Sequence, residues 1–138
     1  MTKRVTSIGG IFFKCQNPDL IKEWYSKHLG INTDQYGTSF EWRKSDAPEK
    51  KGYTAWSPMK SETKYFDPSP KEFMINYRVE NLTQLVEVLK SEGVNVVDEI
   101  ETFEYGSFVH IMDPEGNKIE LWEAKDVEYE KMLNAITK

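Results

Sequence analysis

The acid best placed to do chemistry is Glu120, which follows a turn and lies in a short alternating pattern. The segment 113–116 reads D-P-E-G, in which proline fixes one turn dihedral and glycine frees another. Apolar residues at 119 and 121 then alternate with the residues at 118, 120 and 122, the period-2 pattern of a half-buried strand. A carboxylate held on such a strand can bind a metal ion, act as a general base or accept hydrogen bonds from a ligand.

His110 is the second candidate, because it shares one face of a predicted strand with Phe108 and Met112, next to the strand of Glu120. It either points inward and acts as a general base or stray ligand beside Glu120, or lies on a half-exposed surface. The pattern leaves both readings open. His28 lies near the end of a predicted helix, where a cation meets the helix dipole favourably, and is interpreted as structural.

The elements that position these residues read as strand, helix and several strands, twice over. In the first pass we predict a strand over 5–15 and a helix that begins after the cap Asn17, with Pro18 at its first position, and ends at Gly30. Strands are predicted over 31–36, 38–44 and 52–58, with an exposed charged loop over 44–51.

The second pass predicts a strand over 73–79, a helix capped by Asn81 and stopped by Gly93, and strands over 94–100, 106–112 and 117–123. A terminal helix over 126–137 follows, whose apolar face carries Tyr129, Met132, Leu133 and Ile136.

The two passes superimpose with an offset of 64 residues, since strands, caps and turns recur in the same order. Ile11 falls on Ile75 and Asn17 on Asn81. The repeat predicts an α+β fold of two βαβββ modules, 5–63 and 72–124, within a single domain spanning 1–138.

The string D-P-E-G-N-x-I-E-L near the end of this duplicated unit resembles the closing hairpin of the vicinal oxygen chelate superfamily. That superfamily holds glyoxalase I, extradiol dioxygenases, fosfomycin-resistance enzymes and bleomycin-binding proteins. The resemblance covers residues 5–123 and implies that the two modules curl a mixed sheet into an open cup. It also implies a homodimer, as in many relatives.

In the metal-dependent relatives, ligands occupy the first and last strand of each module. By this resemblance the four positions here are Gly10, Trp56, Met74 and Glu120. Glycine and tryptophan offer no ligand atom, and a thioether suits softer ions than zinc or iron. We therefore expect neither the standard metal site nor a cofactor, and Glu120 is the one candidate ligand if a divalent ion binds.

The leading hypothesis is a protein that binds a small organic molecule in the cup without that metal. The candidate lining, besides Glu120, is Phe12, Lys14, Trp56, Met74, Asn76 and Arg78. Lys14 or Arg78 would neutralise Glu120, since a buried carboxylate needs a partner. The linker 64–71, with two prolines, is expected to run extended over the cup mouth or to contact a second chain.

Two alternatives stay open. One is an enzyme, a glyoxalase-like lyase or isomerase or a dioxygenase, with a rearranged metal site at Glu120 and His110 or with Glu120 as a metal-free general base. The other is an interaction module whose cup is filled by the protein's own aromatic side chains.

Composition excludes some classes of function. The 138 residues carry a net charge of −5 without a basic cluster, which argues against nucleic acid as a partner. The single cysteine rules out an internal disulfide. Neither a signal peptide nor a membrane-spanning apolar run is evident, so a cytoplasmic protein without a membrane partner is expected.

Overall fold

The computed structural model describes residues 3–137, apart from the side chains of residues 136 and 137. The first half forms β1 (Val5–Cys15), α1 (Pro18–Leu29), β2 (Thr38–Lys44) and β3 (Ala47–Lys60). The second half forms β4 (Phe73–Val79), α2 (Leu82–Ser91), β5 (Asn95–Val96), β6 (Glu101–Phe103), β7 (Gly106–Met112), β8 (Lys118–Ala124) and α3 (Asp126–Thr137). The described helices include none long and apolar enough to cross a membrane.

Short polar signals set the element boundaries as predicted. The side chain of Asn17 accepts a hydrogen bond from the backbone N–H of Leu20, and that of Asn81 accepts one from the backbone N–H of Gln84. These two contacts cap α1 and α2. The Asp113 carboxylate accepts two backbone hydrogen bonds of 2.9 Å within the turn before β8, where Gly116 adopts a φ of 81°. The turn thus delivers Glu120 to a strand.

All strands join one mixed, curled sheet in the order β2-β3-β1-β4-β8-β7-β5, with β6 paired to β7. β1 runs antiparallel to β4 at the centre, while β3 and β8 pair in parallel with β1 and β4, respectively. Each half therefore places its last strand beside its first. This arrangement is the expected α+β fold with a cup-shaped sheet, and we call the concave side of the sheet the cup.

The convex side of the sheet carries the main core. α2 buries four residues there against Val79, Val109 and Leu121: Leu82, Leu85, Val86 and Leu89. α1 has no fully buried residue. On the cup side, α3 packs Tyr129 against Trp122, with the ring centroids 5.0 Å apart.

Three boundary predictions were wrong. Residues 31–36 form no strand, because the Asp34 carboxylate accepts hydrogen bonds from the backbone N–H groups of Tyr36 and Gly37 and closes a turn. The charged segment 44–51 is the tip of the β2–β3 hairpin, with Lys44 opposite Ala47, because an exposed strand and an exposed loop share the same composition. The strand predicted over 94–100 is shortened to β5, and β6 begins only after it. The side chain of Ile136, placed on the apolar face of the terminal helix, lies outside the described residues.

Candidate functional site

The cup holds a cavity of about 680 Å³. Its lining is largely aromatic and apolar, with side chains from β1, β3, β7, β8 and α3, including Phe12, Ala55, Phe108, Trp122 and Tyr129. Asn76 and Glu120, adjacent on the paired strands β4 and β8, form what we call the floor of the cup. Each floor residue is only 2% exposed.

Three side chains hold the Glu120 carboxylate. Asn76 Nδ2 donates to Oε1 over 2.7 Å, while the Tyr65 hydroxyl donates to Oε2. His110 Nε2 lies 2.8 Å from the same Oε2. Hydrogen bonds to an ionised carboxylate are stronger than neutral ones, so this arrangement fixes the acid in one orientation.

His110 bridges Glu120 to Asp98. Its Nδ1 lies 2.6 Å from Asp98 Oδ2, and its backbone N–H donates to Asp98 Oδ1 over 2.8 Å. Burial lowers the pKa of His110, but hydrogen bonds and charge attraction from Glu120 and Asp98 outweigh burial, so its pKa lies above the ordinary value. When the ring is protonated, both of its nitrogens donate, one to each carboxylate.

Tyr65 reaches the floor from the linker between β3 and β4. The next residue, Phe66, is fully buried, and Lys118 Nζ donates to the Tyr65 carbonyl oxygen over 2.7 Å. Burial, and secondarily the Glu120 charge, raises the pKa of the Tyr65 phenol. The hydroxyl therefore stays protonated and serves as a donor to Glu120.

The raised pKa of His110 predicts a pH-dependent stability. The stabilisation is complete below the pKa of the unfolded chain, about 6.5. It is lost as the pH rises through the higher pKa of the folded state. We expect the free energy of unfolding of the wild type to fall towards that of His110→Gln over this window. Urea denaturation of both proteins from about pH 5 to pH 8 measures the difference. Parallel curves would contradict a charged His110.

Among the residues predicted from the sequence, four come together. Phe12, Asn76 and Glu120 line the cup, and His110 contacts Glu120 from the neighbouring strand β7. His110 is 7% exposed, so it points inward and does not lie on a half-exposed surface. The roles assigned to these residues stay predictions.

Trp56 does not line the cup as expected. Phe12 pairs with Ser57, whereas Asn76 pairs with Glu120, so the offset between the two halves is 64 residues for the first strands but 63 for the last strands. Ser57 is therefore the counterpart of Glu120. Because a one-residue shift moves a side chain to the opposite face of a strand, Trp56 lies on the convex side. There it contacts Phe13 of β1 and Tyr25 of α1.

Three further lining predictions also need correction. Met74 is fully buried but does not line the cavity. Lys14 lies over the Phe66 ring, 5.6 Å from its centroid. Arg78 donates to both carboxylate oxygens of Asp126 over 2.6 Å. Neither cation therefore neutralises Glu120; His110 does.

Sequence reasoning missed Tyr65 and Asp98. The linker was expected near the cup mouth, but nothing in its local pattern distinguishes Tyr65 from the neighbouring Phe66. Asp98 precedes β6 in a segment that was predicted as a strand, and its role arises from the pairing of that segment with β7. Both contacts are long-range, so they carry no sequence signature.

A family model places the chain among known proteins. The model of the Glyoxalase/Bleomycin resistance protein/Dioxygenase superfamily matches residues 8–121. The chain belongs to this superfamily. No protein of curated function matches the sequence.

Solved structures show the glyoxalase fold at low identity. Methylmalonyl-CoA epimerase from Mycobacterium tuberculosis is 21% identical, with a TM-score of 0.57 over 90% of this chain and 91% of that chain. A variant of the Streptomyces coelicolor methylmalonyl-CoA epimerase in complex with 2-nitronate-propionyl-CoA is 16% identical, with a TM-score of 0.65 over 89% of this chain and 97% of that chain. The Mn(II)-bound glyoxalase from Novosphingobium aromaticivorans is 14% identical, with a TM-score of 0.58 over 87% of this chain and 39% of that chain. These likenesses concern the fold alone.

The floor of this glyoxalase-superfamily cup does not fit the metal site of the metal-dependent members. Gly10 has no side chain, and Met74 does not line the cavity. Hydrogen-bond donors engage both oxygens of Glu120. Within the described part of the chain, no three histidine, cysteine or acidic side chains form a group that could hold a metal ion. The donor set is therefore arranged for hydrogen bonding.

Proposed function

We propose that this superfamily member binds a small organic molecule in its cup without the standard metal site. The observation that carries the proposal is the aromatic cavity of about 680 Å³ with the immobilised Glu120 carboxylate at its floor. Ligand sites are typically concave, mostly apolar cavities of about 300–1,000 Å³ with a few placed polar groups. The cavity also argues against the alternative in which the protein's own aromatic side chains fill the cup.

A cup-filling variant tests the proposal. Ala55 lines the cavity from β3, so Ala55→Phe should occupy the ligand volume. A broad set of aromatic and aliphatic compounds is screened for a rise in the melting temperature of the wild type. We expect bound compounds to lose their shift in Ala55→Phe and to keep it in the control Trp56→Phe, which alters the convex side. Equal shifts in all three proteins would place binding outside the cup.

Proton transfer is a second candidate, favoured by the 2.8 Å contact between His110 Nε2 and Glu120 Oε2. Glu120 would accept the proton when the C–H bond of a carbon acid breaks, and the electron pair would stay on the substrate as a carbanion. The protonated Glu120 would return a proton to that carbon, while His110 and Asp98 keep the carboxyl group oriented. The epimerase neighbours suggest acyl-CoA thioesters as a first panel. Deuterium incorporation from D₂O, detected by mass spectrometry, should occur with the wild type and vanish in Glu120→Gln. A panel without incorporation would leave binding as the better proposal.

We also propose that a second copy of this chain covers the convex side. Ile11 and Phe73 on the central strands, each 41% exposed, and Leu20 and Trp24 on α1, 60% and 51% exposed, are apolar and uncharged. Exposed apolar side chains of this kind can pack against their symmetry mates in a two-fold interface. Sedimentation should show a dimer that Leu20→Glu weakens, while the exposed α3 control Val127→Glu leaves it intact. A monomeric wild type would contradict this proposal. The cytoplasmic location stays a prediction.

A further inference from the structure

We infer that the ligand of the cup carries a protonated nitrogen on an apolar or aromatic body, and that this nitrogen binds Glu120. The inference rests on the proposed binding function and names the chemical class of its ligand. It follows from which hydrogen-bonding groups of the floor are engaged and which remain free.

The donors nearest to Glu120 are already engaged. Asn76 Nδ2 donates to Oε1, and Tyr65 and His110 both contact Oε2. An ionised carboxylate offers about four lone-pair positions, of which these contacts use three. The remaining acceptor position lies on Oε1, where Asn76 is the one described partner.

A second acceptor lies beside the first. Because Asn76 directs its Nδ2 to Glu120, its Oδ1 has the opposite orientation, and this oxygen is buried without a hydrogen-bond partner. Its position lies against Gly9, which also lines the cup. The floor thus contains a buried oxygen that lacks a donor beside the free acceptor position of Glu120, and a group rich in N–H donors complements it.

The charge of the floor favours a cation over an anion. Two carboxylates, Glu120 and Asp98, contact the single imidazole of His110, so the group keeps a net negative charge even when the ring is protonated. Lys14 and Arg78 contact Phe66 and Asp126 instead of the floor. A ligand carboxylate would bring a like charge to the buried Glu120 carboxylate, which costs binding free energy.

The remaining lining suits the body of such a ligand. Phe12, Phe108 and Trp122 present aromatic rings, and a cation is attracted to an aromatic face. Lys22, the lysine of α1 in the lining, already donates to the carbonyl oxygens of Asp34 and Gln35. Ser57 adds a hydroxyl that can donate or accept.

Three matched probes test the inference on the intact protein: 2-phenylethylamine, 2-phenylethanol and phenylacetate. They share a phenyl body and differ in the polar group: a cation, a neutral hydroxyl and an anion. Binding is followed by the indole N–H signals of the ¹⁵N-labelled protein. Trp122 lines the cup, and Trp56 on the convex side is an internal control.

We expect the amine to shift the Trp122 signal and to bind about tenfold more tightly than the alcohol, with the carboxylate weakest. Glu120→Gln should remove the advantage of the amine. The ranking of the three probes in the wild type stands without the variant, should Glu120→Gln fold poorly.

Three results would overturn the inference: equal affinities, a preference for the carboxylate, or no Trp122 shift with the amine. An amine preference that persists in folded Glu120→Gln would do the same. Tighter binding of the alcohol or the carboxylate than of the amine at Trp122 would refute the chemical class while supporting the cup as a ligand site. Equal melting-temperature shifts in the Ala55→Phe screen would refute the cup as the binding site and not the chemical class, so the two failures are distinguishable.

Discussion

Gly9→Ala should lower the free energy of unfolding by about 1–3 kcal/mol, the usual cost of overpacking a filled interior. A Cβ atom at this position would lie 2.2 Å from Asn76 Oδ1, 2.8 Å from Arg78 Cγ and 3.0 Å from Trp122 Cε3. These atoms belong to three side chains that are at most 4% exposed, so they have little room to move. Urea denaturation measures the loss.

Gly10→Ala is the matched control, since it adds the same methyl group one position along β1. Its Cβ would meet the Phe12 ring at 3.1 Å and Asn76 Cβ at 3.4 Å, distances that a small movement of Phe12 relieves. We expect a loss less than half as large. Displacement of Asn76 in Gly9→Ala should also weaken binding of any ligand that contacts the floor. Equal stabilities of the two variants would contradict the close packing of Asn76 against Gly9.

Arg78→Met should have a similar or larger effect, about 3 kcal/mol, because it removes one partner of a buried ion pair. The Arg78 guanidinium donates to both oxygens of Asp126 and to the Tyr53 carbonyl oxygen. It also lies between the rings of Trp42 and Trp122, 5.1 and 5.0 Å from their centroids. The substitution keeps the apolar stem but leaves Asp126 with Lys44, 3.4 Å away, as its cationic partner.

Asp126→Asn and the double variant complete the cycle. A coupling free energy well above zero is expected, since the two side chains share their hydrogen bonds. Arg78 does not line the cup cavity, so ligand affinity measured below the melting temperature should be retained. Loss of affinity in a folded Arg78→Met protein would contradict this expectation and would support the direct contact between Arg78 and the ligand that the sequence predicted.

The parts of the fold that sequence predicts are those fixed by neighbours along the chain. Asn17 and Asn81 cap helices through contacts within three residues, and the turn before β8 closes on Asp113. Their geometry follows from backbone conformation and side-chain length. The repeated order of such signals was therefore enough to predict the duplicated unit of a strand, a helix and further strands, although the first half forms two strands after its helix instead of three.

The face of a strand is a different kind of information. Alternation around Trp56 is the same whether it lies on the cup side or the convex side, because a period of two fits both. The pairing of Phe12 with Ser57 decides between them, and a one-residue difference between the two halves is invisible in an overall offset. The misplacement of Trp56 follows from that difference.

The sequence by itself determined the fold class, the helix caps and the place of Glu120 on a strand after a turn. Tertiary structure decided which groups surround that acid. His110, Asn76 and Tyr65 arrive from two other strands and the linker, while Arg78 contacts α3 instead. Local conformation depends on a few adjacent residues, but the partner of a buried charge depends on which distant segments the sheet brings together, and several cations in the chain could have met that need equally well.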